Sequence, residues 1–332
     1  MVCYWLFILV IGFFLILLKM RTFSRHLFSQ LFLFFCGFIF WLMIPTASAQ
    51  TTEITQETTL NWFQAVVLGI VQGITEFLPI SSSAHLKVVP VALGWGDPGI
   101  TFSAVIHLGS IAAIIWYFRG ELQQLLQGTW QGIRQQEYHN SDLRLTGGIL
   151  LGTVPILVGG VFWKLFVTDE SPLRSMTTIG ITSIGIGLLL GIGDGIGKRD
   201  RAEKDLKPID AILMGVAQAL ALIPGTSRSG ITITAGLFMG LDRPTAARFA
   251  LLMGIPTIIL AGTVELIDVL EQGWNNVQAV PILMGTATTF LFSYLSVVGL
   301  VHYLQQQNTW VFVFYRFIFG GFIFWGVLTS RW

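Results

Sequence analysis

From Leu60 onward the chain alternates between long apolar runs and short polar punctuation. Six runs are long enough to cross a bilayer as helices: Ile100–Phe118, Leu145–Phe166, Met176–Ile192, Thr245–Leu266, Val280–Tyr303 and Trp310–Leu328. Two further apolar segments are interrupted. Leu60–Leu78 and Ser83–Leu93 flank a break at Pro79–Ser82, and Ile209–Ile223 and Ile231–Leu241 flank PGTSRSG at 224–230. Irregular backbone at membrane depth is tolerated where it lines a cavity. The pattern predicts an all-α polytopic membrane protein with six transmembrane helices and two re-entrant helix-loop-helix segments.

Composition supports this class. The chain is 53% hydrophobic and 11% charged, against about 25% charged in soluble domains. A net charge of +1, without a basic patch interleaved with aromatics, gives no footing for nucleic acid. The two cysteines, Cys3 and Cys36, lie in N-terminal apolar runs, which excludes a disulfide framework or a thiolate metal site in the body. Two apolar runs, Tyr4–Leu18 and Leu31–Ile44, enclose Lys19, Arg21, Arg25 and His26, and PTASAQ follows at 45–50. A basic segment, an apolar stretch and an A-x-A site are the parts of a signal peptide. Residues 1–49 are therefore read as a signal peptide, with translation starting at Met20, or else as an N-terminal hydrophobic extension. Residues 50–59 are a polar tail, and 60–330 form the integral-membrane domain.

Loop charge sets the orientation. KRDRAEKDLK at 198–207 is the most charged stretch and should be cytoplasmic. The loop carrying Arg119, Arg134 and Arg144 then falls on the same side, and both termini fall outside. The two interrupted segments align at an offset of 146 residues, pairing Gly69 with Gly215, Gln72 with Gln218, Ser81 with Ser227 and Ser83 with Ser229. They enter from opposite sides. This is an inverted-topology repeat with halves at about 60–195 and 208–330, whose breaks should meet near mid-membrane.

The chemistry concentrates at those breaks. The first holds Gln72, Glu76, Ser81, Ser82, Ser83 and His85; the second holds Ser227, Arg228, Ser229 and Thr232. Ionisable side chains are costly in a bilayer and mark function by default. A Gly/Ser/Arg run opening a helix suits an anion, because helix N-termini favour negative charge and Arg matches phosphate oxygens. His85 follows Ser81 and Ser82 at the spacing that places imidazole and hydroxyl on one helix face. Hydroxyl, base and clamp are the parts for phosphoryl or acyl transfer. Each also has a structural reading: Glu76 as partner of an interior Arg, His85 bonded to a carbonyl, the serines as a helix cap. Gly69 and Gly73 read as helix packing. Arg316 is expected to pair within the bundle or to reach a phosphate. Arg248 and Glu265 read as structural, Asp194 as solvated, and His107 and His302 as isolated. The same inverted repeat would also suit a lipid-phosphate or anion transporter or flippase.

QGITEFLPISSSAH at 72–85 and PGTSRSGIT at 224–232 resemble the two motifs of the undecaprenyl-diphosphatase family, the bacitracin-resistance type. The similarity runs from about residue 60 to 330 and includes the terminal YRF. The resemblance implies an integral-membrane phosphatase of the plasma (inner) membrane. It would hydrolyse undecaprenyl diphosphate to the monophosphate, recycling the carrier for peptidoglycan and conferring bacitracin resistance. It implies catalytic roles for Glu76, Ser81 or Ser82, His85 and Arg228, and phosphate binding by Ser227, Arg228, Ser229, Thr232 and Gln72. It also implies a divalent cation, Mg²⁺ or Ca²⁺, on Glu76. Gln72 stands where family members often carry Glu, so the diphosphate would supply most of the ligands. The expected partners are the polyprenyl diphosphate lipid, the membrane and a second copy as a homodimer, with the pocket facing the periplasm.

Overall fold

A computed structural model of the chain describes residues 60–168, 171–272 and 279–331; the signal peptide and polar tail expected before Leu60 lie outside the described residues. Among the described residues the structure is helical, apart from a single bridge between Arg201 and Leu241. The α-helices are α1 Trp62–Phe77, α2 Ser82–Ala92, α3 Ile100–Arg134, α4 Ser141–Phe166, α5 Met176–Ile196, α6 Pro208–Ala219, α7 Arg228–Phe238, α8 Arg243–Gln272, α9 Ala279–Leu304 and α10 Trp310–Leu328. Six of them are long and apolar enough to cross a membrane, at the six expected places. Leu150, Val154, Val158 and Phe162 lie exposed along α4, as suits a helix in an apolar surrounding.

The 146-residue offset holds for structure as well as sequence. Trp62 and Pro208 begin α1 and α6, and Ser82 and Arg228 begin α2 and α7. The halves interleave: α1 packs chiefly on α9 of the other half, and α6 correspondingly on α4. Glycine permits both contacts. A Cβ on Gly69 would stand 2.5 Å from Gly285 O, and one on the matching Gly215 would stand 2.8 Å from Gly152 Cα. Small residues at such crossings let backbones approach where lipid supplies no hydrophobic drive. Thr289 and Ser296 of α9 donate to Gly69 O and Ile74 O of α1, and Ser110 of α3 bonds Ser293 at 2.8 Å.

Two sequence expectations need correction. The loop expected after Phe118 is helix to Arg134; the polar residues of 119–134 are compatible with a helix that has left the apolar core. Asp194 is buried rather than solvated. It accepts from Arg243 Nε at 2.5 Å and from Thr309 N at 3.0 Å, fastening the end of α5 to the starts of α8 and α10. The two basic loops do share a side: Arg144 approaches Leu206 O at 3.5 Å, and Arg248 pairs with both Glu121 and Glu203.

Candidate active site where two helix breaks meet

α1 stops because Leu78 precedes Pro79 and takes extended geometry, ψ 147°. The chain re-enters helix at Ser82 through Ser81, whose φ is 77°. The second break repeats this: a 3₁₀ turn at Leu220–Leu222, extended Ile223 before Pro224, then Ser227 at φ 68° ahead of Arg228. A non-glycine residue at positive φ costs roughly 1–3 kcal/mol and persists only where its surroundings hold it. At Ser227 the hydroxyl accepts from Gly230 N at 3.1 Å. At Ser81 the backbone carbonyl is within 2.6 Å of His85 Nδ1. The hydroxyl pairs also match across the repeat, Ser81 to Ser83 at 3.2 Å and Ser227 to Ser229 at 3.3 Å.

The two breaks touch directly. Ser229 Oγ donates to Leu78 O at 3.1 Å, and Gly225 N donates to Ser83 Oγ at 3.4 Å. Between them lies Glu76. Its Oε2 accepts from Ser82 Oγ at 2.6 Å and from Gln72 Nε2 at 3.0 Å; its Oε1 accepts from Arg228 Nη2 at 2.8 Å. Ser82 and Arg228 are the first residues of α2 and α7, the same place in each repeat. One carboxylate therefore joins a hydroxyl from one half to a guanidinium from the other. Position 222, opposite Glu76 in the repeat, is Leu, so only one half supplies the acid. A small cavity of about 10 Å³ lies beside Glu76, Phe77, Arg228 and Gly254, about the space of one water.

His85 departs from expectation. It does not face a serine hydroxyl. It is fully buried, stacked on Phe319 with centroids 4.0 Å apart, and its Nε2 meets Tyr315 Oη at 2.5 Å. Because Ser81 O only accepts, Nδ1 carries a proton and donates to it, which leaves Nε2 to meet the Tyr315 hydroxyl. The α2 turn points the imidazole back at its own N-cap carbonyl and outward to α10, so it braces strained Ser81. Thr232 is likewise turned inward, its hydroxyl donating to Arg228 O at 2.7 Å.

Three groups missed or passed over by sequence reading complete the site. Arg316 is fully buried and donates to five carbonyls: Ser183, Thr182, Pro79, Gly225 and Thr226. It pairs within the bundle, as expected, but with backbone carbonyls, and holds both breaks at once. His107 of α3 places Nε2 3.5 Å from Glu76 Oε2 and Nδ1 3.4 Å from Glu265 Oε2 of α8. His107 is therefore not isolated; both are ionisable groups inside a span, the signal that could have found the contact. Gln72 leaves its buried Oε1 without a partner. That orphan oxygen and the Glu76 carboxylate are two hard donors one helical turn apart. Among the described residues no cluster of three or more acidic, His or Cys side chains exists. The donors present thus fit a divalent ion held mainly by phosphate and water, the habit of Mg²⁺.

A hydroxyl, a carboxylate and an arginine gathered at broken helices define a membrane-embedded site of the acyl- or phosphoryl-transfer class. The chain belongs to the family described as bacitracin resistance protein BacA, whose profile matches residues 65–322. It is 56% identical over 263 residues to an undecaprenyl-diphosphatase of Nostoc sp., covering 79% of this chain and 82% of that one. Undecaprenyl-diphosphatases of a Synechococcus sp. and of Trichodesmium erythraeum are 51% and 48% identical, over 85% and 90% of this chain and 96% and 98% of theirs.

Proposed function

We propose that the chain hydrolyses undecaprenyl diphosphate to undecaprenyl phosphate and inorganic phosphate, returning the lipid carrier to cell-wall synthesis and giving bacitracin resistance. The observation that carries this reading is the placement of Glu76 between Ser82 Oγ and Arg228. The terminal phosphoryl group displaces Glu76 from Arg228, whose planar fork suits phosphate oxygens. Ser82 Oγ attacks the terminal phosphorus and its proton passes to Glu76 Oε2. The anhydride P–O bond breaks, and polyprenyl monophosphate leaves. Glu76, now neutral, no longer competes for Arg228, whose charge stays on the phosphoryl group. Water then attacks the seryl phosphate, the Ser82 Oγ–P bond breaks as Glu76 returns its proton to Oγ, and inorganic phosphate departs with the protons of the water. Catalysis of this kind is mostly positioning and electrostatics. His85, Ser81 and Arg316 act through Ser82 by fixing the backbone of the breaks; Ser227 and Ser229 shape the turn that presents Arg228. Glu76 and Gln72 Oε1, together with phosphate oxygens, would hold a divalent ion, which would supply charge neutralisation.

The pocket is read as opening to the outer face, with both termini outside and the charged 198–207 loop in the cytoplasm; this follows from loop charge. The breaks are read as re-entrant, because α1 and α2 with 16 and 11 residues are each short for a span. The protein is read as a homodimer. The test of the activity is release of phosphate from undecaprenyl diphosphate by the purified protein, with the monophosphate recovered as the lipid product. Arg228→Ala should abolish release. No release by the parent protein, or undiminished release by the variant, overturns the reading.

A further inference from the structure

A second cavity, of about 530 Å³, lies away from the Glu76 site. It is walled by the start of α4, the turn before it, and the charged segment leading into α6. Arg144, Lys204 and Lys207 line it, over an apolar floor of Leu151, Ala211 and Phe249. Among the described residues none of these three cations is in an ion pair, whereas Glu203, the one acid in the lining, is paired with Arg248. Arg144 makes a long bond to Leu206 O, and its exposed side chain keeps its remaining donors. Tyr138, exposed, stands at the rim. Farther along, α4 and α6 pack together and expose Leu150, Val154, Ile212 and Val216. The ligand that satisfies such a surface has an anionic head and a hydrocarbon body. Basic pockets between helices at the membrane surface take lipid head groups on these terms, and the volume is that of a small-molecule site.

We propose that this cavity binds the head group of an anionic glycerophospholipid, with Arg144, Lys204 and Lys207 on its phosphate and the acyl chains along α4 and α6. The site is separate from the hydrolytic one and does not rest on the reading given to it. Native mass spectrometry of the full chain, titrated with phosphatidylglycerol or phosphatidylcholine of the same acyl length, tests it. Each cation near a membrane surface is worth about five-fold, so three give an anionic preference on the order of a hundred-fold. The triple variant R144Q/K204Q/K207Q should lose that preference while keeping phosphate release. Gly147→Trp provides a second, charge-neutral variant. Gly147 lines the cavity and a Cβ there meets nothing within 4 Å, so the indole fills the space and should abolish the same binding. Equal binding of the two lipids overturns the proposal, as does a preference that survives both variants. Undecaprenyl phosphate binding here while phosphatidylglycerol does not would assign the cavity to product instead. Displacement of the lipid by millimolar inorganic phosphate alone would reduce it to a simple anion site.

Discussion

Glu76→Gln removes one charge and little else. The carboxylate accepts four contacts: Arg228 Nη2 at 2.8 Å on one oxygen, and Ser82 Oγ at 2.6 Å, Gln72 Nε2 at 3.0 Å and His107 Nε2 at 3.5 Å on the other. With Gln at this position, the amide oxygen keeps Arg228 and the new NH₂ faces Ser82 and Gln72. Of the three neighbours on that side, Ser82 and Gln72 can adapt, while His107 Nε2 loses its carboxylate there. The Ser82 hydroxyl turns to accept, and the Gln72 side chain flips to offer its orphan Oε1. What cannot be restored is the counter-charge of a mostly buried guanidinium. Breaking a fully buried pair costs about 3–5 kcal/mol; with 17% of the Arg228 side chain exposed, about 1–3 kcal/mol is expected. The loss in rate should be larger. Without an anion to take the Ser82 proton, the general-base contribution of about 10²–10⁴-fold disappears, or roughly 3–5 kcal/mol of barrier. The assay is steady-state phosphate release from undecaprenyl diphosphate in detergent, with kcat and KM resolved and the melting temperature taken on the same preparation. A kcat at least a hundred-fold down with KM little changed is predicted. A folded variant whose kcat stays within five-fold of the parent, or whose defect is all in KM, refutes the base role of Glu76.

Three further outcomes follow from the same geometry. His107→Ala should lower kcat about ten-fold by freeing one side of Glu76, and His107→Gln, which can still donate to it, should recover most of the loss; equal defects in both would show that His107 only fills space. Arg316→Lys keeps the charge but offers at most three donors to five carbonyls. A drop of about 3 kcal/mol in stability is expected, read as a lower melting temperature in detergent. Gly69→Val drives a side chain into Gly285 O and should prevent folding, while Gly120→Ala, where a Cβ meets nothing within 4 Å, should be silent; comparable expression and melting of the two would dismiss the α1–α9 close contact.

Much of the scaffold was legible because the bilayer imposes it. The six spans announce themselves by length and hydropathy, and Pro79 and Pro224 mark where α1 and the turn after α6 must stop. The 146-residue offset seen in a handful of residues matches the helix starts. The site was legible as a list of residues and as two breaks that should meet, with Glu76 readable as the partner of an interior Arg, but not in its detailed contacts. Glu76, Ser82 and Arg228 were each identifiable, yet their convergence depends on two positive-φ serines redirecting α2 and α7, which no local pattern encodes. His85 was expected beside a hydroxyl from its helical spacing. The N-cap carbonyl of Ser81 is nearer, and Tyr315, 230 positions away, claims the other nitrogen. Asp194 read as solvated for a similar reason, since Arg243 and Thr309 reach it only through the fold. Arg316 gave no motif signal for its role because its partners are all backbone. The helix beyond Phe118 was hidden because apolar periodicity marks the buried part of a helix, and α3 outlasts the apolar environment.

The central claim is that Ser82, held by Glu76 opposite Arg228, receives the phosphoryl group. Rapid quench of the purified protein with undecaprenyl diphosphate labelled in its terminal phosphate tests this directly, with mass spectrometry locating the label. Label on Ser82 within the first turnover, absent in Ser82→Ala together with activity, is predicted. A phosphate burst with no labelled protein, and a Ser82→Ala variant that still turns over, would contradict it.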